Sequence, residues 1–318
     1  MFPNGQSVQD ALRVTCPSCD IQAMPGIAIN GTYDPAVLED AKKKAAAAEY
    51  TIVVVGEGPY AEKPGDINDL MLPLGQQEYV RALASTNTKL ILVLVQGRPR
   101  FLNGLADVAH AVVNAMLPCE LGGQALSSIL LGRVNPSGRL PFTYPKNMAD
   151  STVPYYHRQN LGCSINGTFR ECEHEWSFGA GLSYTTFQYS DMTLSVNGSS
   201  AVVVSVTVSN TGPFDGKEAV LLFVKQSVRV DNVPETKRLI KFDKINLATG
   251  ASTTVSFRLT KSDLGIYTNK IGHGLKKTVV DGNYTVFFKA DTDCDVYSTL
   301  CQTFQSVTQE ATWGIQRP

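Results

Sequence analysis

Residues 50–66 read YTIVVVGEGPYAEKPGD. Thr51 to Val55 is a short β-branched run, suited to a strand buried on both faces, and it breaks at Gly56 into a loop rich in glycine, proline and carboxylates. Immediately upstream, Pro35 to Tyr50 reads as a helix: Val37, Leu38, Ala41 and Ala45 recur at helical spacing, with Asp34 placed as N-cap ahead of Pro35. Downstream, Gln76 to Ser85 reads as a helix, Leu90 to Val95 as a second buried strand and Ala111 to Leu117 as a third. Gly122-Gly123 then opens a helix through Leu131 that Gly132 ends. Strands alternating with helices predict an α/β domain built on an open, mainly parallel sheet.

Beyond residue 186 the period changes to two. Val202, Val204, Val206 and Val208 point one way, and Val203, Ser205, Thr207 and Ser209 the other. Val255, Phe257 and Leu259 alternate with Ser256, Arg258 and Thr260. Turn signals separate such runs at Asn197-Gly198, Asn210-Thr211-Gly212, Thr249-Gly250 and Asp281-Gly282-Asn283. This pattern predicts an antiparallel all-β sandwich. The expected organisation is an α/β domain over residues 1–146, an ordered linker over 147–186 rich in Tyr, Gly and Cys, and the sandwich over 187–318.

At 318 residues a two-domain chain is the natural expectation, and 43% hydrophobic residues suffice for real cores. The 28 Lys and Arg nearly balance 29 Asp and Glu without a basic stripe, which argues against nucleic acid as a partner. No apolar run approaches the roughly 20 residues that span a bilayer. The N-terminus, MFPNGQSVQD, shows no signal peptide, which taken alone points to the cytosol. Seven cysteines say otherwise, with close pairs at Cys16 and Cys19, Cys163 and Cys172, and Cys294 and Cys301. So do glycosylation sequons at Asn30, Asn166, Asn197 and Asn283, of which Asn166 lies inside the loop that Cys163 and Cys172 would close. Cys16-Pro-Ser-Cys19 also admits a redox or half-zinc reading, but no second pair of similar spacing completes a zinc site. Disulfides in an oxidising compartment are the favoured reading, reconciled with the absent signal if the N-terminal part of the protein lies elsewhere.

Ligands of open α/β sheets bind beyond the C-terminal ends of the strands. The loop after the first strand places Glu57, Glu62 and Asp66 within ten residues. Two carboxylates beside a sugar cleft are the minimal equipment for glycoside hydrolysis, although composition alone favours a solvated acidic loop. A phosphate cradle at Gly56 and Gly58 is disfavoured, because Glu57 between them repels phosphate and no third glycine or helix start follows. The four histidines have no metal-ligand spacing, and neither a metal nor a cofactor is expected.

The strings VVVGEGPYAEKPGD, VLVQGRPR, LPCELGGQALSSILLGRVNPSGRLPFTYP and FGAGLSYTTFQYS resemble family 3 glycoside hydrolases in order and spacing, and the likeness continues through VTVSNTG, DGKEAVLLFV and LIKFDKINLATG. It covers Ala36 to Ala290 and is greatest to the β-glucosidase and exo-β-glucanase branch. The resemblance implies the C-terminal portion of that family: an α/β domain with its first strand missing, then a fibronectin type III-like sandwich. It also implies a β-glucoside or β-glucan substrate, and a (β/α)8 barrel, absent here, that carries the aspartate nucleophile.

By the same resemblance Glu62 is the general acid/base, which has to start neutral and so needs a raised pKa. Glu57 is read as a structural carboxylate accepting loop N–H groups, Asp66 as a brace, and Arg98 as a residue that orients a carboxylate or packs against the barrel. Residues 135–139 are read as a fold signature. Cys119 stands where the family usually has glycine, and a buried free thiol would be tolerated there. The full-length parent would be extracellular, lysosomal or vacuolar, and the chain alone inactive. The alternative is a non-catalytic module that binds glucan or a partner.

Overall fold

The computed structural model describes residues 5–151, 154–158, 163–165, 168–170, 173–197, 201–230, 232–267, 277–306 and 314–315. The chain divides into two units. The first comprises Met1–Val134, Tyr144–Ser151 and Glu173–Glu175, and the second Asn135–Thr143, Thr152–Cys172 and Trp176–Pro318.

In the first unit, helices α1 (Val8–Thr15), α2 (Pro35–Ala47), α3 (Leu74–Ala84), α4 (Leu105–Val108) and α5 (Gly122–Leu130) alternate with β1 (Tyr50–Gly56), β2 (Lys89–Val95) and β3 (Ala111–Met116). The three strands form a parallel sheet in sequence order, with Tyr50 opposite Lys89 and Gly56 opposite Val95. Central β2 is closed on both faces, since consecutive Leu92, Val93 and Leu94 are fully buried. Edge strand β1 is not: Val53 and Val55 are buried, but Val54 is 44% exposed. Successive residues of a strand face opposite sides, so only the Val53 and Val55 side of this edge is covered.

Asp34 Oδ1 accepts the Ala36 amide at 2.8 Å and starts α2, which ends at Ala47 instead of running to Tyr50. Helix α1 has no counterpart in the sequence reading. Ser7 caps it by accepting the Asp10 amide at 3.1 Å, and Ala11 and Leu12 are buried. It lies on α5 so closely that a Cβ at Gly123 would meet the Gln6 and Ser7 carbonyls. Cys119, in the turn before α5, has φ +55 and is exposed, not buried. The left-handed backbone there is the conformation that favours glycine.

The second unit is a sandwich of β4 (Phe187–Asn197), β5 (Ala201–Asn210), β6 (Gly216–Lys225), β7 (Arg238–Leu247), β8 (Ser252–Thr260), β9 (Gly282–Phe288), β10 (Cys301–Ser306) and β11 (Gly314–Ile315). One sheet runs β7-β6-β9-β10-β11 and the other β8-β5-β4, with antiparallel neighbours throughout. Val202, Val204, Val206 and Val208 are fully buried against Val220, Leu222, Val255, Phe257, Leu259, Val286, Phe288 and Phe304. On the opposite face hydroxyls pair across β5 and β8, Ser205 with Ser256 at 2.8 Å and Ser209 with Ser252 at 2.7 Å.

The segment 135–139 belongs to this unit, which explains why NPSGR and FGAGLSYT occur together. Asn135 Oδ1 accepts from the Ser183 hydroxyl and the Tyr184 amide, while its Nδ2 donates to the Asp215 carbonyl. Arg139 pairs with Glu218 at 2.6 Å, and the other oxygen of that carboxylate accepts from Tyr189 at 2.9 Å. Disulfides join Cys16 to Cys19 and Cys294 to Cys301. The expected Cys163–Cys172 pairing and the Asn166 sequon lie outside the described residues. Asn30 and Asn283 are exposed, and Asn197 ends β4.

Asn210, the last residue of β5, is 1% exposed and holds that corner. Its Oδ1 accepts from the Thr185 hydroxyl and the Gly212 amide, and its Nδ2 donates to the Phe214 and Leu247 carbonyls. Asn210→Ala orphans these partners and is expected to destabilise the chain by about 2–3 kcal/mol in denaturant unfolding. Thr207→Ala, on the outer face, is expected to change stability by less than about 0.5 kcal/mol.

Candidate active-site loop

Strand β1 delivers its loop at the C-terminal edge of the parallel sheet, where ligands of such sheets bind. Gly56 has φ +144, and a Cβ there would overlap the Val95 carbonyl. Glycine is therefore required for β1 to stay against β2 to its last residue. The Glu57 amide still donates to Val95 O at 2.9 Å, so Glu57 leaves the sheet at a defined height. Gln76 at the start of α3 fixes the same point: its Oε1 accepts the Gly56 amide at 3.0 Å, and its Nε2 donates to Gly56 O and Ile29 O.

The three carboxylates of the loop have different surroundings. The Glu57 side chain is 9% exposed, and its Oε1 accepts from Arg98 Nε and Arg100 Nη1, both at 3.0 Å. Its partners are guanidinium groups, not the loop N–H groups the sequence suggested. Arg98 and Arg100 stand two apart on the segment after β2, and both reach the same carboxylate oxygen. Arg100 also donates to Met71 O at 2.5 Å, and its own carbonyl accepts from Tyr144 Oη at 2.7 Å. Tyr144 is fully buried, which pushes its phenol pKa up, and its oxygen accepts from Gln96 Nε2 at 2.7 Å.

Glu62 and Asp66, by contrast, are exposed. Glu62 precedes the short 3-10 turn Lys63–Gly65 with φ +50 and ψ −148, a region that L side chains rarely occupy. Its carbonyl accepts the Gly65 amide at 2.9 Å, and Lys63 O accepts the Asp66 amide at 2.9 Å. The Arg98 guanidinium lies over the Tyr60 ring, 4.0 Å from its centroid. The structure thus brings Arg98 to Glu57 and to the loop, and leaves Glu62 and Asp66 on the solvent side of the turn.

Sequence reasoning passed over Arg100, Tyr60 and Gln76. The repeat Arg98-Pro99-Arg100 was a usable signal for a shared carboxylate, whereas nothing local marks Gln76. Among the described residues no group of three or more His, Cys, Asp and Glu is placed to hold a metal ion. Among the same residues no helix is long and apolar enough to cross a membrane.

The family model for the glycosyl hydrolase family 3 C-terminal domain matches residues 4–184, and that for a fibronectin type III-like domain matches residues 218–292. The lysosomal beta glucosidase of Dictyostelium discoideum is 35% identical over 302 residues, covering 90% of this chain and 35% of that protein. The periplasmic beta-glucosidase of Salmonella typhimurium is 32% identical over 270 residues, covering 80% of this chain and 34% of that one. The chain thus spans about a third of the length of these curated relatives. Among solved structures, the beta-glucosidase from Listeria innocua in complex with glucose superposes with a TM-score of 0.81 at 22% identity, over 95% of this chain and 42% of that one. At that identity the likeness speaks for the fold.

The backbone at Glu62 stores strain that a glycine would not feel. Glu62→Gly is expected to stabilise the chain by about 1 kcal/mol in denaturant unfolding, the relief of strain exceeding the entropy cost of a glycine. A loss of stability would show that the conformation is relaxed.

Proposed function

Because the chain belongs to glycoside hydrolase family 3, we propose that it is the C-terminal part of a retaining β-glucosidase that releases terminal β-D-glucosyl residues. In this reading Glu62 is the general acid/base. It protonates the glycosidic oxygen as the bond to the anomeric carbon breaks, then takes a proton from the water that releases the sugar from the nucleophile. The nucleophile is carried by an N-terminal (β/α)8 barrel, as the shared third of the relatives' length suggests. The β-glucosidase names of the relatives support the substrate class.

One observation carries the assignment: the loop separates its carboxylates by environment. Glu57 is committed to two arginines and nearly closed from solvent, while Glu62 stands exposed on the turn. A retaining site needs two carboxyl groups about 5–5.5 Å apart, and Glu57 cannot serve as the second while it neutralises Arg98 and Arg100. By the family's pattern the second carboxyl group comes from outside this loop. Glu57, Arg98 and Asp66 are supports: the first two anchor the loop, and Asp66 closes its turn. The disulfides Cys16–Cys19 and Cys294–Cys301, and relatives named lysosomal and periplasmic, support an extracellular or lysosomal setting with glycosylation at the sequons.

The test is hydrolysis of aryl and alkyl β-glucosides by the chain alone and by the chain joined to the barrel from the same source. The expected result is turnover only when the barrel is present. In the joined enzyme Glu62→Ala slows poor leaving groups by about 10²–10⁴-fold and activated aryl glucosides much less. Turnover by the chain alone that disappears in Glu62→Gln would overturn the missing-nucleophile reading. Equal slowing of every leaving group would remove Glu62 as the acid.

A further inference from the structure

We infer that Tyr60 is the positioning residue of the acid/base: its ring is the template on which the 62–65 turn is folded, and it sets where the Glu62 carboxylate stands. The inference rests on the assignment of Glu62 above and concerns a residue two positions away whose side chain performs no chemistry.

Three observations converge on the ring. Its upper face lies under the Arg98 guanidinium at 4.0 Å, and that guanidinium is tied to the nearly buried Glu57 carboxylate at 3.0 Å. The ring is thus referenced through an ion pair to the ends of β1 and β2. Next, Gly65 lies against it: a Cβ at position 65 would sit 2.8 Å from Tyr60 Cδ2, inside contact distance, and 3.0 Å from its Cβ, an unusually tight contact. The returning arm of the turn is therefore pressed onto the ring, and Gly65 closes the turn by donating to Glu62 O at 2.9 Å. Finally, Gly97 after β2 leaves room for the far end of the ring, since a Cβ there would overlap Tyr60 Oη and lie 3.1 Å from Cζ.

Glu62 is held between these contacts at φ +50 and ψ −148. A non-glycine residue keeps such a conformation only where its surroundings over-determine it. The hydrogen bonds within the turn are local and common to relaxed turns, so they do not impose it. The ring does, by fixing both the outgoing chain at Tyr60 and the returning chain at Gly65. An acid/base must lie within hydrogen-bond reach of the glycosidic oxygen, and a displacement of about 1 Å can cost about 10²-fold in rate. The phenol oxygen plays no part in this, so the ring is required and the hydroxyl is not.

The experiment uses the chain joined to its barrel, with Tyr60→Phe, Tyr60→Ala, Gly97→Ala, the Gly97→Ala/Tyr60→Phe double variant and Glu62→Ala as reference. Tyr60→Ala is expected to lower kcat on an alkyl β-glucoside by about 10²-fold, with less effect on a dinitrophenyl glucoside and little change in KM. Tyr60→Phe is expected to stay near wild type. Gly97→Ala displaces the ring and copies the Tyr60→Ala profile, and removing the hydroxyl in the double variant restores activity. In the chain alone, amide exchange at Gly65 and Asp66 accelerates in Tyr60→Ala and not in Tyr60→Phe, a readout independent of turnover. The inference is overturned if Tyr60→Phe is as impaired as Tyr60→Ala. It is equally overturned if Tyr60→Ala slows all leaving groups alike, or leaves exchange at Gly65 unchanged. Failure of the acid/base assignment itself would show differently, as a Glu62→Ala enzyme with no dependence on the leaving group.

Discussion

A carboxylate withdrawn from water has to be matched by cations, and the first unit is organised around meeting that requirement at Glu57. Removing one partner from such a buried pair costs about 3–5 kcal/mol, because the remaining charge keeps its desolvation penalty. Here one oxygen of Glu57 accepts from two guanidinium groups on the segment after β2, which ties the exits of β1 and β2 together. Arg100 extends the tie to the Met71 carbonyl and, through its own carbonyl, to buried Tyr144. Arg98 extends it in the other direction, onto the Tyr60 ring and so to the turn that bears Glu62. The exposed carboxylate is thus held by way of the buried one.

This arrangement gives two acidic residues of one loop opposite characters without any difference in their chemistry. Glu57 is neutralised in place and serves as an anchor. Glu62, five residues on, has a backbone in a rarely occupied region and faces solvent. Strained backbone of this kind concentrates at functional sites, where the fold maintains it because the geometry is useful. Under the proposed function, one unit presents the acid/base on a braced loop and the second carboxyl group comes from another part of the protein.

The sandwich solves a separate problem. Its core is a conventional interleaving of Val, Leu and Phe from two sheets, but its corners depend on buried polar residues that a hydrophobic pattern does not register. Asn210 was legible only as part of a turn, yet its four hydrogen bonds join Thr185, Gly212, Phe214 and Leu247. Asn135 and Arg139 lie far from the strands in sequence, yet they belong to this unit through Asp215 and Glu218. That is the physical content of a signature motif whose residues looked merely turn-forming.

The sequence by itself determined the element types, because period is a local property. The β-branched run at 51–55 and the apolar run at 90–95 could only be strands of a parallel sheet once helices were recognised between them, and alternation from Val202 to Val208 implied a two-sided sandwich. It also singled out the loop of Glu57, Glu62 and Asp66 by its place at a strand exit and its resemblance to family 3, where composition alone favoured a solvated acidic loop. What only the tertiary structure decided was that Glu57 is buried and paired while Glu62 and Asp66 stay exposed. The surroundings of the loop are set by Arg98, Arg100, Tyr60 and Gln76, residues brought together by the parallel pairing of β1 with β2 and the start of α3. The exposure of Val54 and Cys119 was decided in the same way, by which surfaces the fold leaves uncovered. Local pattern can state what a residue prefers, but burial and charge pairing are properties of the neighbours it acquires across tens of residues, and those set its chemistry.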